Sequence, residues 1–182
     1  MSALLPPQLD PWRAVKLGAA FAGSATLAEL PRLAAAVLGA DGPASYALRF
    51  ERDETRQAVA LGQVAMALRL RCQRCLGEVV YAVEAPIALA LVRARSDADA
   101  LGLAPAVEVA EHLDALPLGE DPIHPLDLIE DELLLALPLV PLHAVGECQP
   151  AVPLDLAESA QADGAAAPKN PFAVLATLKS KG

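Results

Sequence analysis

The chain predicts an α+β fold: a central antiparallel β-sheet or small barrel, N-terminal helices, one long acidic helix and a tethered C-terminal helix. Three observations carry this. Val64, Met66, Leu68, Leu70 and Cys72 alternate with Gln63, Ala65, Ala67, Arg69 and Arg71, the period of a half-buried strand. Leu126, Ile129, Leu133 and Leu137 fall on one line at helical spacing. Asp10-Pro11 and Asn170-Pro171 each place a capping side chain before a proline suited to a first helical turn.

Taken in order, the first helix is expected from Pro11 to about Leu17, with a short strand within Gly18 to Gly23. Thr26-Leu27-Ala28-Glu29 reads as a capping box opening a second helix through about Val37. Tyr46, Leu48 and Phe50 begin the strand region. The pattern of 63–72 resumes after Gly77 as Val79, Tyr81 and Val83, then Ile87, Leu89 and Leu91. Three or four antiparallel strands result, the last two joined by Cys72–Gly77. Residues 96–124 are acidic and punctuated by Gly and Pro; they read mostly as loop, with one short strand at Val107–Val109. Pro125 to Leu137 is the long helix, stopped by Pro138. A globular domain over 1–149 is then followed by an Ala/Pro-rich flexible linker over 150–169 and a short helix within 170–182.

Hydrophobic residues make up 54% of 182, enough for a core, but 39 alanines, 32 leucines and 3% aromatics make that core aliphatic. The net charge of −9 conceals a partition. Residues 1–96 sum to +3, residues 97–168 to −15 with no Lys or Arg, and residues 169–182 to +3. The charge therefore excludes a uniformly basic RNA binder but leaves local contact open. The longest apolar run, Leu133 to Leu142, contains two prolines and is half the length of a spanning helix. No basic stretch leads into an apolar run at the N-terminus, and three cysteines do not make a secreted disulfide framework. A cytoplasmic protein with reduced thiols is expected, with no membrane and no small-molecule substrate.

Cys72-Gln73-Arg74-Cys75 is a C-x2-C pair at an expected hairpin tip, and His143 with Cys148 follows the prolines that end the long helix. The two pairs form a Cys3His set suited to structural zinc. The competing reading is a set of reduced, unliganded thiols, with Cys72 simply buried on the apolar phase of its strand. A thioredoxin-like redox pair would open a helix, whereas this one joins two strands. His112 and His124 read as surface residues. Eight arginines and no lysine lie between 49 and 95, a bias suited to phosphate or, equally, to a solvated strand face paired with the acidic half. The scarcity of aromatics argues against a base-stacking platform. Glu130-Asp131-Glu132 spreads over a wide helical arc and reads as a solvated face. No P-loop, G-x-S-x-G or H-E-x-x-H is present, so no enzyme is expected.

Together, the C-x2-C pair after an alternating strand, the run Asp127–Pro141 leading to His143 and Cys148, and the tail Asn170–Lys179 closely resemble the YceD family, bacterial and plastid proteins named for large-subunit ribosomal RNA accumulation. The resemblance runs from about residue 10 to the end. It implies a role in the synthesis, processing or stability of 23S rRNA and no established catalytic activity. Many relatives carry cysteine at the position of His143, which supports a four-ligand site. The expected mode of action is binding to ribosomal RNA or pre-50S components. Contacts are expected on the sheet (Arg69, Arg71, Arg74, Arg93, Arg95), the acidic helix (Glu130, Asp131, Glu132) or the tethered helix (Asn170, Pro171, Phe172, Leu175). The alternative is an acidic adaptor that docks a basic ribosomal or RNA-processing protein without touching RNA.

Overall fold

The computed structural model describes residues 4–94 and 109–148. The expected linker, the C-terminal helix and Arg95 lie outside these residues, as do Val107 and Glu108.

The first helix, α1 (Pro11–Leu17), forms as its cap predicts: the Asp10 carboxylate accepts from Arg13 N at 3.0 Å. Gly18 closes it at φ 61°, a conformation that costs glycine little. Strand β1 (Ala20–Ala25) follows. The capping box at Thr26 also forms, with Thr26 N and Oγ1 both donating to Glu29 Oε2 at 2.8 and 2.7 Å. It does not open a single helix through Val37. It opens a 3-10 turn, Leu27–Glu29, after which Pro31 starts a separate helix, α2 (Pro31–Ala36). The reason is Leu30: a residue before proline is pushed out of the helical region, and here it sits at φ −123°, ψ 72°.

The sheet comprises β1, β2 (Gly39–Ala40), β3 (Ala44–Arg52), β4 (Ala58–Arg71), β5 (Glu78–Arg93) and β6 (Asp114–Leu118). Its order is β1-β3-β4-β5-β6, with β2 continuing the line of β3 along the same edge of β4. Among the described residues this order does not close into a barrel. The first four pairings are antiparallel, but β5–β6 is parallel (Leu89↔Asp114 to Arg93↔Leu118). The expectation of a wholly antiparallel sheet is thus corrected to a mixed one. Within 96–124 the strand is β6 rather than one at Val107–Val109: Val109 is not in a strand, and residues 96–108 lie outside the described residues. The short β6 sequence, Asp-Ala-Leu-Pro-Leu, has too little alternation and a proline that argues against strand.

One sheet face and the three helices enclose the core. Phe50, Leu68, Ile87 and Leu91 come from the strands and meet Leu30, Leu33, Ile129 and Leu133, all at most 2% exposed. The other face is covered at one end, where Val59 and Ala90 pack with Leu113. At Gly62 of β4 a Cβ would lie 2.0 Å from the Ala47 carbonyl oxygen of β3. Only glycine fits there.

The acidic helix is α3 (Pro125–Leu135), eleven residues long and shorter than expected, with Ala136 as its C-cap. Leu128, Ile129 and Leu133 are buried, whereas Leu135 is 79% exposed. Its acidic run is not a uniformly solvated face. Glu130 is 2% exposed: Oε1 accepts from the buried Leu33 amide at 2.9 Å and Oε2 from Arg32 Nε at 2.7 Å. Arg32 also pairs with Asp131. A buried carboxylate persists where its lone pairs are satisfied, and this one caps the start of α2 from 97 residues away.

Removing this carboxylate should loosen α2 from α3. Glu130→Ala is expected to cost about 3 kcal/mol, because a buried amide and a guanidinium lose their acceptor, and Glu130→Gln about half as much. Thermal or urea unfolding checks this; two variants both within about 0.5 kcal/mol of wild type would show that the carboxylate does not hold the helices together.

Candidate metal centre

The centre forms where β4 turns into β5. The turn is closed by Cys72 N–H donating to the Gly77 carbonyl (2.8 Å) and Leu76 N–H donating to the Cys72 carbonyl (2.9 Å). Leu76 takes a left-handed φ of 62°, which curls the backbone around the first cysteine. At Gly77 a Cβ would stand 3.4 Å from Cys75 Sγ and 4.0 Å from His143 Cε1, so a small residue leaves the cluster its room.

The second half arrives on the segment after α3. Gln73 holds it at two points, its N–H donating to the Pro141 carbonyl (2.9 Å) and its side chain to that of Leu139 (3.3 Å). The Tyr81 hydroxyl clamps it further, donating to Leu142 O at 2.7 Å and accepting from Leu142 N at 2.8 Å. A turn with Gly146 at φ 91° then brings Cys148 back to the hairpin.

Cys72, Cys75, His143 and Cys148 converge, with one ligand atom from each lying within 4.8 Å of the others. Cys72 Sγ is 3.8 Å from Cys148 Sγ, and Cys75 Sγ is 3.5 Å from His143 Nδ1. Tetrahedral zinc with Zn–S near 2.3 Å and Zn–N near 2.0 Å would space such pairs at roughly 3.8 and 3.6 Å. The histidine tautomer is fixed by its far side. Nε2 lies 2.9 Å from the Glu78 carbonyl, which can only accept, so Nε2 carries the proton and Nδ1 offers its lone pair to the cluster.

The electrostatics favour the thiolate at Cys72 and Cys148 but not at Cys75. Burial pushes the Cys72 thiol up, but the amides of Cys75, His143 and Arg74 and the imidazole outweigh it and bring it down to about 5. The Arg74 guanidinium lowers Cys148. Hydrogen bonding to Cys72 and Cys148 raises His143. The Gly77 amide pulls Cys75 down, yet the sulfurs of Cys148 and Cys72, together with burial, hold it above its ordinary value. Three thiolates and a neutral imidazole would carry −3, or −1 with a divalent ion, and Arg74 beside Cys148 offsets the remainder.

The other anticipated contact residues are dispersed. Arg69 folds over Gly39, in long ion pairs with Asp41 (3.4 Å) and Glu78 (4.0 Å) and without a hydrogen bond from Nε. Arg71 is exposed opposite Glu78, and Arg74 borders the cluster, 3.5 Å from the His143 carbonyl. Arg93 is at the far end of β5, over the Trp12 ring and paired with Glu120. Asp131 is half-exposed on Arg32, Glu132 is partly buried, and Glu130 is enclosed. Asn170, Pro171, Phe172 and Leu175 lie outside the described residues. The Tyr81 clamp and the Glu78 carbonyl were not anticipated. Tyr81 sits on the apolar phase of β5, and nothing in its spacing indicates that its hydroxyl reaches a loop 61 residues away.

Fold and cluster together define a small α+β protein that carries a Cys3His centre between a hairpin tip and a post-helical loop. The family described as "Large ribosomal RNA subunit accumulation protein YceD" matches residues 61–179, which include both halves of that centre. A Haemophilus influenzae protein of the same description is 32% identical over 177 residues, 97% of each chain. The chain belongs to the YceD family. No solved structure matches it.

In metal-free protein the thiols should titrate in separated steps: the first thiolate near pH 5, the last above the ordinary cysteine range. Because Cys72 is depressed, its stabilising thiolate interactions are complete above its unfolded pKa and are lost as pH falls through about 5. Thiolate absorbance against pH checks this, and Cys72→Ser should delete the first step. A single step near about pH 8.5 would contradict it.

Proposed function

We propose that the chain is a non-enzymatic cytoplasmic factor that supports the synthesis, processing or stability of large-subunit ribosomal RNA, acting by binding. Kinship over nearly the whole chain with a relative bearing that description carries the reading. Among the described residues no helix is long and apolar enough to cross a membrane.

In this reading Cys72, Cys75, His143 and Cys148 hold a structural zinc ion that fastens the 139–148 segment to the hairpin tip. The donor set and spacing support zinc over harder cations, which prefer oxygen ligands. With four protein ligands the ion has no open position for substrate, so it supplies cross-linking rather than catalysis. The acidic stretch 97–168 supports a second reading, in which a basic ribosomal or RNA-processing protein is docked without direct RNA contact.

Two measurements test the proposal. Protein purified without a histidine tag should contain about one zinc equivalent, lost in Cys75→Ser or Cys148→Ser, with a melting temperature lower by ~5 °C or more. Metal-free protein with an unchanged melting curve would remove the structural ion. A deletion strain should accumulate less 23S rRNA and fewer 50S subunits than wild type; normal levels of both would remove the biogenesis role.

A further inference from the structure

The end of the sheet opposite the metal centre carries a cationic groove that none of the matched descriptions assigns. Helix α1 crosses there beside the β3–β4 turn and the last residue of β5, leaving an open trough of about 1170 Å³. Trp12, Arg13, Lys16, Arg52, Arg56 and Arg93 line it, and Glu51 is its one carboxylate among the described residues. Glu51 is itself tied to Arg49 at 2.9 Å. Arg13 and Lys16 stand three residues apart on the exposed face of α1. Arg52 and Arg56 flank the hairpin turn, with Arg52 Nη1 donating to the Arg56 carbonyl at 2.8 Å. Arg93 is held in place, its guanidinium 4.3 Å from the Trp12 ring centroid while Trp12 Nε1 donates to Gly119 O at 2.9 Å. The other four cations are exposed and none is ion-paired to a described carboxylate, whereas Arg32, Arg49, Arg69 and Arg93 all are.

We infer that this groove binds the phosphate backbone of single-stranded RNA. The inference rests on the ribosomal-RNA reading above and deepens it by naming the surface. Guanidinium forks match phosphate oxygens in a bidentate way, and an open trough suits a polymer better than a small enclosed anion. A protein of net charge −9 attracts nucleic acid weakly as a whole, so a polyanion must be captured where unneutralised cations cluster. Trp12 positions Arg93 and is not needed as a stacking platform. The recognition is therefore of backbone rather than sequence.

The test uses the full chain and a fluorescein-labelled single-stranded RNA of mixed sequence, with anisotropy read across a salt series. Wild type should bind with a log–log salt slope of roughly −2.8, from four phosphate contacts at about −0.7 each. The combined variant Arg13→Gln, Lys16→Gln, Arg52→Gln, Arg56→Gln alters only exposed side chains. It should keep its melting temperature, weaken binding about thirtyfold at low salt and bring the slope near zero. Arg71→Gln, at the opposite end of β4, should change binding less than about threefold. If wild type binds RNA and the groove variant binds equally well, the groove is overturned while direct RNA binding stands. If wild type binds no RNA, both the groove and direct contact fall. Large-subunit rRNA levels in the deletion strain report the family role independently of either result.

Discussion

The thirteen antiparallel pairs between β4 and β5 run without a slip from Val59↔Ala90 to Arg71↔Glu78. The Cys3His cluster depends on this register at every point. It sets the tip turn at Cys72–Gly77, so that two sulfurs lie on one side of the hairpin. It also places Tyr81 and the Glu78 carbonyl where they grip the incoming loop and orient His143. A slip of β4 by one residue would send Leu70 and Cys72 to the solvent face and part them from Val79 of β5, with which they pack. The same hairpin carries Ala58 and Arg93 to its other end, where the cationic groove opens.

The second half of the centre needs its own anchor, which α3 supplies. Leu128, Ile129 and Leu133 bury the helix against the sheet, while Glu130 binds it to the start of α2. Beyond Ala136 that support ends. Leu139, Val140 and Val145 are 95%, 55% and 98% exposed, so the loop has little apolar burial to hold it. Four backbone carbonyls and amides bonded to Gln73 and Tyr81 fix its middle, but Cys148 lies past them. A cross-link through sulfur and imidazole is the kind of interaction that can fasten such a segment, since its strength does not depend on buried area.

The sequence was legible where one local rule decided the outcome. Period-two alternation located β4 and β5, and their pairing put Arg69 and Arg71 opposite Val80 and Glu78, as the turn length requires. Asp10-Pro11 marked the start of α1, and Thr26–Glu29 the start of a 3-10 turn rather than of the second helix. They could not say how far the second element ran, because Pro31 and the extended Leu30 decide that. The four ligands were visible as two spaced pairs. The parallel β6 was not, since its five residues gain their strand character from an existing β5 edge rather than from their own pattern. Glu130 looked like its neighbours Asp131 and Glu132. Only the tertiary arrival of the Arg32 side chain and Leu33 amide distinguishes it.

The charge distribution shows why the arginine bias alone was a poor guide to a surface. By count, residues 49–95 hold eight arginines, yet position sorts them into different roles. Arg69 is folded over Gly39 between two carboxylates, and Arg74 serves the sulfur cluster. Arg52 and Arg56 remain open and gain Arg13 and Lys16 as partners, residues some forty positions upstream that no composition window joins to them. A cation's capacity to bind a partner is set by what already neutralises it and by which other cations the fold brings alongside. In this chain both are decided by the hairpin and α1, so the place where positive charge stays open follows from strand register rather than from the net charge of −9.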